Sequence, residues 1–269
     1  MCIPATEESR MPISALFALA ALSGGHSKPV LIDDFQWKRA LAAGKTIEIV
    51  GVNGSIDASG TGGREVEVTA VKKARKSDPA SVRIEVVEYP DGVTICAVYP
   101  SSGRDRENEC REGGKGRNNT RNNDVQVSWT IKVPEGVKFV GRTVNGQVVA
   151  RRLTAEVEAH SVNGDITVET TSFASATTVN GSIDARMGST DWRDDAEFET
   201  VNGGITIDLP ASASMEVDAS TVNGSMSTDF PLTIRGKGGP RRMSGTVGKG
   251  GRTLSLSTVN GSMSLRRAQ

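Results

Sequence analysis

Two histidines, three cysteines and one acidic loop are the side chains here best suited to catalysis or metal binding. An imidazole titrates near neutrality and serves as a base only when a nucleophile or substrate proton lies within hydrogen-bond reach. His26 follows a run of small residues, and His160 sits between Ala159 and Ser161. Neither belongs to a Gly-x-Ser-x-Gly, His-Glu-x-x-His or phosphate-loop context. Cys2, Cys96 and Cys110 lack the Cys-x-x-Cys spacing of a zinc site. Asp191-Trp192-Arg193-Asp194-Asp195 with Glu197 offers hard oxygen ligands for calcium, without either EF-hand or nonapeptide-repeat spacing. Its ordinary reading is a solvated acidic loop with Trp192 folded over a coil edge. We therefore expect no catalytic residue, no cofactor and no resident metal. A polysaccharide-active β-helix enzyme is the remaining catalytic alternative, but the repeats offer no ladder of outward carboxylates for it.

The elements that would carry such residues are set by a repeat. Val-Asn-Gly occurs seven times, with turn residues Asn53-Gly54, Asn145-Gly146, Asn163-Gly164, Asn180-Gly181, Asn202-Gly203, Asn223-Gly224 and Asn260-Gly261. From Asn145 to Asn223 the intervals are 18, 17, 22 and 21 residues. A period near twenty marks an architecture in which each unit buries its apolar side only against its neighbours. The last interval, 37 residues, reads as two coils with one corner unmarked.

Asn-Gly is a strong tight-turn signal because both residues tolerate positive φ. The flanks alternate with period two, as in Leu254, Leu256 and Thr258 before the last copy and Met263 and Leu265 after it. Alternation of this kind predicts half-buried strands. Two all-β architectures fit: a repeat-built β-solenoid with coils of about 17–22 residues and Asn-Gly corners, or stacked β-hairpins in a sandwich. A half-period of nine residues, seen between Val157 and Ile166, favours two strands and two corners per coil, hence the solenoid. Pro210 and Pro231 suit the second corner, since proline cannot continue a paired strand. Stacked coils would set the asparagines about 4.8 Å apart, close enough for an amide ladder. The alternative is that Asn is only a turn former.

The chain has 269 residues, 36% hydrophobic and 4% aromatic, too few rings for a broad aromatic core but enough for a thin stack. Lys plus Arg and Asp plus Glu both number 32, so no net charge steers the protein toward nucleic acid. Residues 1–30 contain the apolar run Ile13–Leu22, the length of a signal h-region, read as an export signal or a disordered N-terminal segment. Residues 31–267 read as one β-repeat domain whose open end is capped by Phe35, Trp37 and Leu41. An excursion over 64–133 carries strand-like runs at 65–71, 82–87, 93–98 and 125–133, with Pro90-Asp91-Gly92 closing a hairpin. The polar loop at 100–123 has no periodicity, which implies function or disorder. In an exported chain Cys96 and Cys110 are placed to form a disulfide; the alternative is a reduced, buried Cys96 and an unrelated exposed Cys110. Basic clusters at 72–76, 104–121 and 235–252 read as solvated loops; two of them meeting on one side would engage an anionic envelope polymer or lipid.

At Phe35-Gln36-Trp37, Gly44–Ile49, Thr94–Pro100, Phe139–Gly146 and the later Val-Asn-Gly copies, the chain resembles a bacterial repeat family of unknown function. These are the YvlB-like envelope proteins, labelled putative adhesins and related to head-GIN domains. The resemblance covers about residues 33–267 and rests on repeat texture. It implies a β-solenoid-like fold and an envelope or extracellular setting, and brings no catalytic motif. The expected function is non-enzymatic presentation of a binding surface to a protein or glycan. The alternative is an envelope-stress sensing module that binds a protein or amphipathic peptide.

Overall fold

A computed structural model describes residues 31–101, 106–192, 195–234 and 241–268. The expected N-terminal signal segment, 1–30, lies outside the described residues. The chain builds two large sheets that face one another across a large buried apolar cluster. The N-terminal third supplies β1 (Leu31–Ala40), β2 (Thr46–Val50), β3 (Ile56–Thr61), β4 (Glu65–Ala74), β5 (Arg83–Tyr89), β6 (Gly92–Val98) and β7 (Gln126–Pro134). Four regular coils follow: β8 (Lys138–Arg142) with β9 (Val148–Leu153), β10 (Val157–His160) with β11 (Ile166–Thr170), β12 (Ala174–Thr177) with β13 (Ile183–Met187), and β14 (Ala196–Asn202) with β15 (Ile205–Leu209). The C-terminal part holds β16 (Met215–Asn223), β17 (Met226–Thr228), β18 (Leu232–Ile234), β19 (Arg242–Val247), β20 (Thr253–Asn260) and β21 (Met263–Arg267).

The strands before and after each Asn-Gly lie in different sheets, so the tripeptide is a corner between sheets and not the tip of a hairpin. This settles the architecture as a solenoid-like stack and removes the hairpin sandwich. Each strand pairs in parallel with the equivalent strand of the next coil, for example Ile166 with Ile183 and Ile183 with Ile205. Alternation then sends every second side chain inward: Ile166, Val168, Ile183, Ile205 and Ile207 are all buried. Of the few rings, Trp129, Phe139 and Phe198 are fully buried.

Two expectations need correction. The excursion over 64–133 does not leave the stack. Its strands β4 and β7 extend one sheet and β5 and β6 the other, forming the layers beneath the first coil. The terminal layer is β1, antiparallel on β4, with Phe35, Trp37 and Leu41 partly buried against the core. The second correction concerns the 37-residue interval. Among the described residues no unmarked corner fills it. The spatial order of the asparagines is 202, 260, 223, because β20 lies between β14 and β16 and β21 between β15 and β17. The physical reason is β19, which pairs antiparallel with the outer edge of β16. A following coil cannot add there, so the chain turns back and lays its last coil beneath.

The polar segment is ordered where it is described. Cys96 and Cys110 form a disulfide, with Cα atoms 5.7 Å apart. Asparagines stitch the rest to β6 and its extension: Asn118 Nδ2 donates to Ala97 O at 2.5 Å, and Asn108 Nδ2 to Tyr99 O at 2.9 Å. Gly114 N donates to Glu48 Oε2 at 3.1 Å. Among the described residues no helix is long and apolar enough to cross a membrane.

Candidate functional site

The seven corners stack into one ridge, built from four residue positions with separate physical duties. Two before each Asn, except Asn53 where Gly51 stands, is a buried hydroxyl that caps the glycine carbonyl of the adjacent rung. Thr143 Oγ1 donates to Gly54 O (3.1 Å), Ser161 Oγ to Gly146 O (2.9 Å), Thr178 Oγ1 to Gly164 O (3.0 Å) and Thr200 Oγ1 to Gly181 O (2.8 Å). The working motif is therefore Thr/Ser-Val-Asn-Gly, and its first position was legible in the sequence but not read there. Thr178→Val should cost about 1 kcal/mol, since it deletes a buried hydrogen bond without changing shape; a urea midpoint measures it.

The Asn side chains form a continuous ladder. Asn145 Nδ2 donates to Asn53 Oδ1, Asn163 to Asn145, Asn180 to Asn163, Asn202 to Asn180, Asn260 to Asn202 and Asn223 to Asn260, all at 2.8–2.9 Å. All but Asn53 are exposed. Each amide in mid-ladder spends one N–H and one lone pair along the stack, so its second N–H and second lone pair face outward.

Glycine is required at the next position for a reason other than the expected one. Of the seven, only Gly54 has a left-handed φ, at +125°. A Cβ at Gly164 would lie 2.1 Å from Gly146 O, and at Gly181 2.2 Å from Gly164 O. Close approach of successive rungs selects glycine here, not positive φ. Beside the amides runs a row of valines whose side chains face solvent: Val144, Val162, Val179, Val259 and Val222 are 38–52% exposed. At the N-terminal end Val52 is covered, at 9%. Seven rungs at about 4.8 Å give a ridge roughly 29 Å long. It is neutral except for Asp165, just past the third glycine, in a chain that is 24% charged.

The sequence-derived chemical candidates fall elsewhere. His160 lies on the outward face of β10, where its Nε2 is 2.6 Å from Glu158 Oε1. Glu158 also accepts from Arg142 Nη2 at 2.6 Å, and Arg142 Nε donates to buried Glu48 at 3.0 Å. Glu48 is completed by Thr94 Oγ1 at 2.7 Å. The result is an ionic chain across three neighbouring strands, β2, β8 and β10, that holds His160 against a carboxylate. The hydrogen bond from His160, helped by the Arg142 charge, holds the Glu158 carboxyl at about 2. A carboxylate depressed in the folded state stabilises it above the unfolded pKa, and this is lost as pH falls toward the folded value. Glu158→Gln should thus flatten the fall in urea midpoint between about pH 4.5 and pH 2. The carboxylate is 39% exposed, so the difference will be small but signed.

In the acidic loop, Trp192 is buried, Asp191 is exposed and Asp195 Oδ1 accepts from Thr253 N at 3.0 Å. Arg193 and Asp194 lie outside the described residues. No group of three or more His, Cys, Asp or Glu among the described residues is placed to hold a metal. The basic clusters do not all converge: the one after β19 lies at the opposite end of the stack from those around β4 and β6.

Fold and ridge together define a β-solenoid repeat protein. Residues 145–266 match the model of the Toastrack DUF4097 family, and this span contains six of the seven Asn-Gly corners. Over that span, which is less than half of the 269 residues, the chain is similar to the Toastrack family. Among solved structures, the chain is similar to a "putative cell adhesion protein" from Clostridium sporogenes at 13% identity and TM-score 0.46, covering 88% of this chain and 100% of that one. It is also similar to a "putative adhesin" from Bacteroides fragilis, at 15% identity and TM-score 0.36, covering 90% and 98%. A third is a "putative lipid binding protein" from Parabacteroides distasonis, at 9% identity and TM-score 0.28, covering 88% and 97%. Likeness at this level does not carry a function from one protein to another. No curated protein matches the chain in sequence.

Proposed function

We propose that the protein is a non-enzymatic, adhesin-like binding protein of the cell envelope or the extracellular space, and that the Val-Asn ridge is its contact surface. The observation that carries this reading is the ridge itself. Its exposed valines and outward amide valences repeat rung by rung, whereas a core would hide the first and a solvated face would replace both with charge. Methyl groups beside unspent donors and acceptors suit an extended, largely neutral ligand lying along the stack, such as a glycan chain. The Cys96–Cys110 disulfide supports a setting outside the cytoplasm, where such bridges persist. The exposed valine row also favours the second reading, a module that docks the apolar side of a protein or amphipathic peptide.

The test is capture from envelope fractions and binding to cells and immobilised glycans, with the wild-type chain and a Val144→Lys/Val179→Lys variant. Both sites are exposed, so urea melts of the variant should give an unfolding free energy within about 0.5 kcal/mol of the wild type. Glycan or cell retention that the variant loses supports adhesion. One stoichiometric protein partner, lost likewise, supports the module. Retention unchanged by the two lysines removes the ridge as the contact surface.

A further inference from the structure

The last coil of the chain, β20 with β21, is seated out of order, between coils that precede it in sequence. It follows both of its neighbours in the chain. Every contact that holds it is of a kind that any copy of the same segment would make. β20 pairs in parallel with β14 on one side and β16 on the other, and β21 with β15 and β17. Asn260 bridges the amide ladder between Asn202 and Asn223, at 2.8 and 2.9 Å. Thr258 Oγ1 donates to Gly203 O at 3.0 Å, while Leu254, Leu256, Met263 and Leu265 are buried in the shared core.

The cap above it depends on this coil. β16 pairs only with β20 and β19, and β17 only with β21, so no strand of the cap pairs directly with β14 or β15. When the coil leaves, the slot is open on both faces, and the coil carries four core side chains into water. The connection back to β19 is the short segment Gly248-Lys249-Gly250-Gly251-Arg252, with φ of +60°, +78° and +154° at its three glycines. It folds tightly over the start of β16, where Lys249 N donates to Ser214 Oγ at 3.1 Å. Drawn straight, five residues reach roughly 17 Å, enough to deliver the coil to an adjacent molecule.

We propose that residues 253–267 are an exchangeable coil, and that a second copy of this chain seats its own coil in the slot between β14/β15 and β16/β17, joining two chains by reciprocal exchange. The occupant is a second copy because the slot asks for the pattern Leu-x-Leu-x-Thr-Val-Asn-Gly-x-Met-x-Leu, which Leu254–Leu265 supplies. Glycine is obligatory at position 261, where a Cβ would lie 1.9 Å from Gly203 O. Exchange of an identical element is a low-cost route to a dimer, and a short hinge held in a tight reversal invites it.

The test uses the full chain and a full chain lacking Lys249, Gly250 and Gly251. The shortened hinge, Gly248 joined to Arg252, reaches roughly 7 Å, less than the two strand spacings, roughly 9.6 Å, between β19 and β20 across β16. Its coil can therefore seat only in a second chain whose slot abuts the end of β19. It should elute at twice the monomer mass, with the circular dichroism of the wild type, and remain dimeric on 100-fold dilution. Refolding it with excess synthetic peptide of residues 252–268 should convert the dimer to peptide-bound monomer, which a dimer held by a surface patch would not do. Two mass-tagged wild-type chains should form mixed dimers when mixed in partially denaturing urea and returned to buffer. A shortened chain that is monomeric, folded or not, or that aggregates without a discrete dimer, overturns the proposal. So does a dimer indifferent to the peptide.

Discussion

Gly164→Val should lower stability by about 3 kcal/mol, and Gly164→Ala by nearly as much. The clash belongs to the first side-chain atom. A Cβ at Gly164 would lie 2.1 Å from Gly146 O and 2.4 Å from its carbon, both backbone atoms that no rotamer change can move. Relief requires parting the two rungs. Parting them stretches Asn163 Nδ2 to Asn145 Oδ1 (2.9 Å) and Gly146 N to Asn163 O (3.0 Å), and weakens the Ser161 cap on Gly146 O. A left-handed turn would behave differently, with alanine costing only about 1 kcal/mol. Urea melts of the two variants distinguish the causes. Gly62→Ala is the control, because a Cβ there meets nothing within 4 Å. Should alanine at 164 cost no more than alanine at 62, the rungs are not in contact at this corner.

The same corner shows what was legible in the sequence. Val-Asn-Gly spacing locates every corner because the repeat is a local signal: one rung, one copy. Strand parity was legible for the same reason, since Leu254, Leu256 and Thr258 face the core wherever the coil is placed. The reason for the glycines was not, because close approach is a relation between Gly164 and Gly146, residues in different coils. Coil order failed on a similar relation. The 37-residue interval counts chain length, while the seat of Asn260 between Asn202 and Asn223 is decided by β19 occupying the edge of β16. The chain Glu48–Arg142–Glu158–His160 joins residues up to 112 apart, and no spacing rule in the linear text connects them. At the polar loop, composition suggested function or disorder. Its order comes from single asparagines, Asn108 and Asn118, that find backbone partners on the extension of β6, and from the one disulfide.

Removing that disulfide is the second large effect. Cys96 and Cys110 are 14 residues apart, and a closed loop of this size restricts the unfolded chain by about 3 kcal/mol in the chain-entropy account. Both cysteines are buried, at 4% and 8%, and pack with Val98, so paired serines would also lose apolar burial. Urea melts of the oxidised and reduced chain should differ by about that amount. The structure also says where the loss begins. The loop reaches Glu48 through Gly114 N, and Glu48 is the inner end of the ionic chain to His160. Reduction should therefore speed amide exchange first at Gly114 and at Tyr99, whose N–H is held by Asn118 Oδ1 at 3.2 Å. The repeat coils from β12 to β15 make no contact with the loop through these bonds and should exchange as before until global unfolding. Alkylation of the unreduced protein before intact-mass measurement should leave Cys96 and Cys110 unlabelled. Labelling of both, or coincident melts with and without reductant, would mean that the asparagine stitches alone hold the loop.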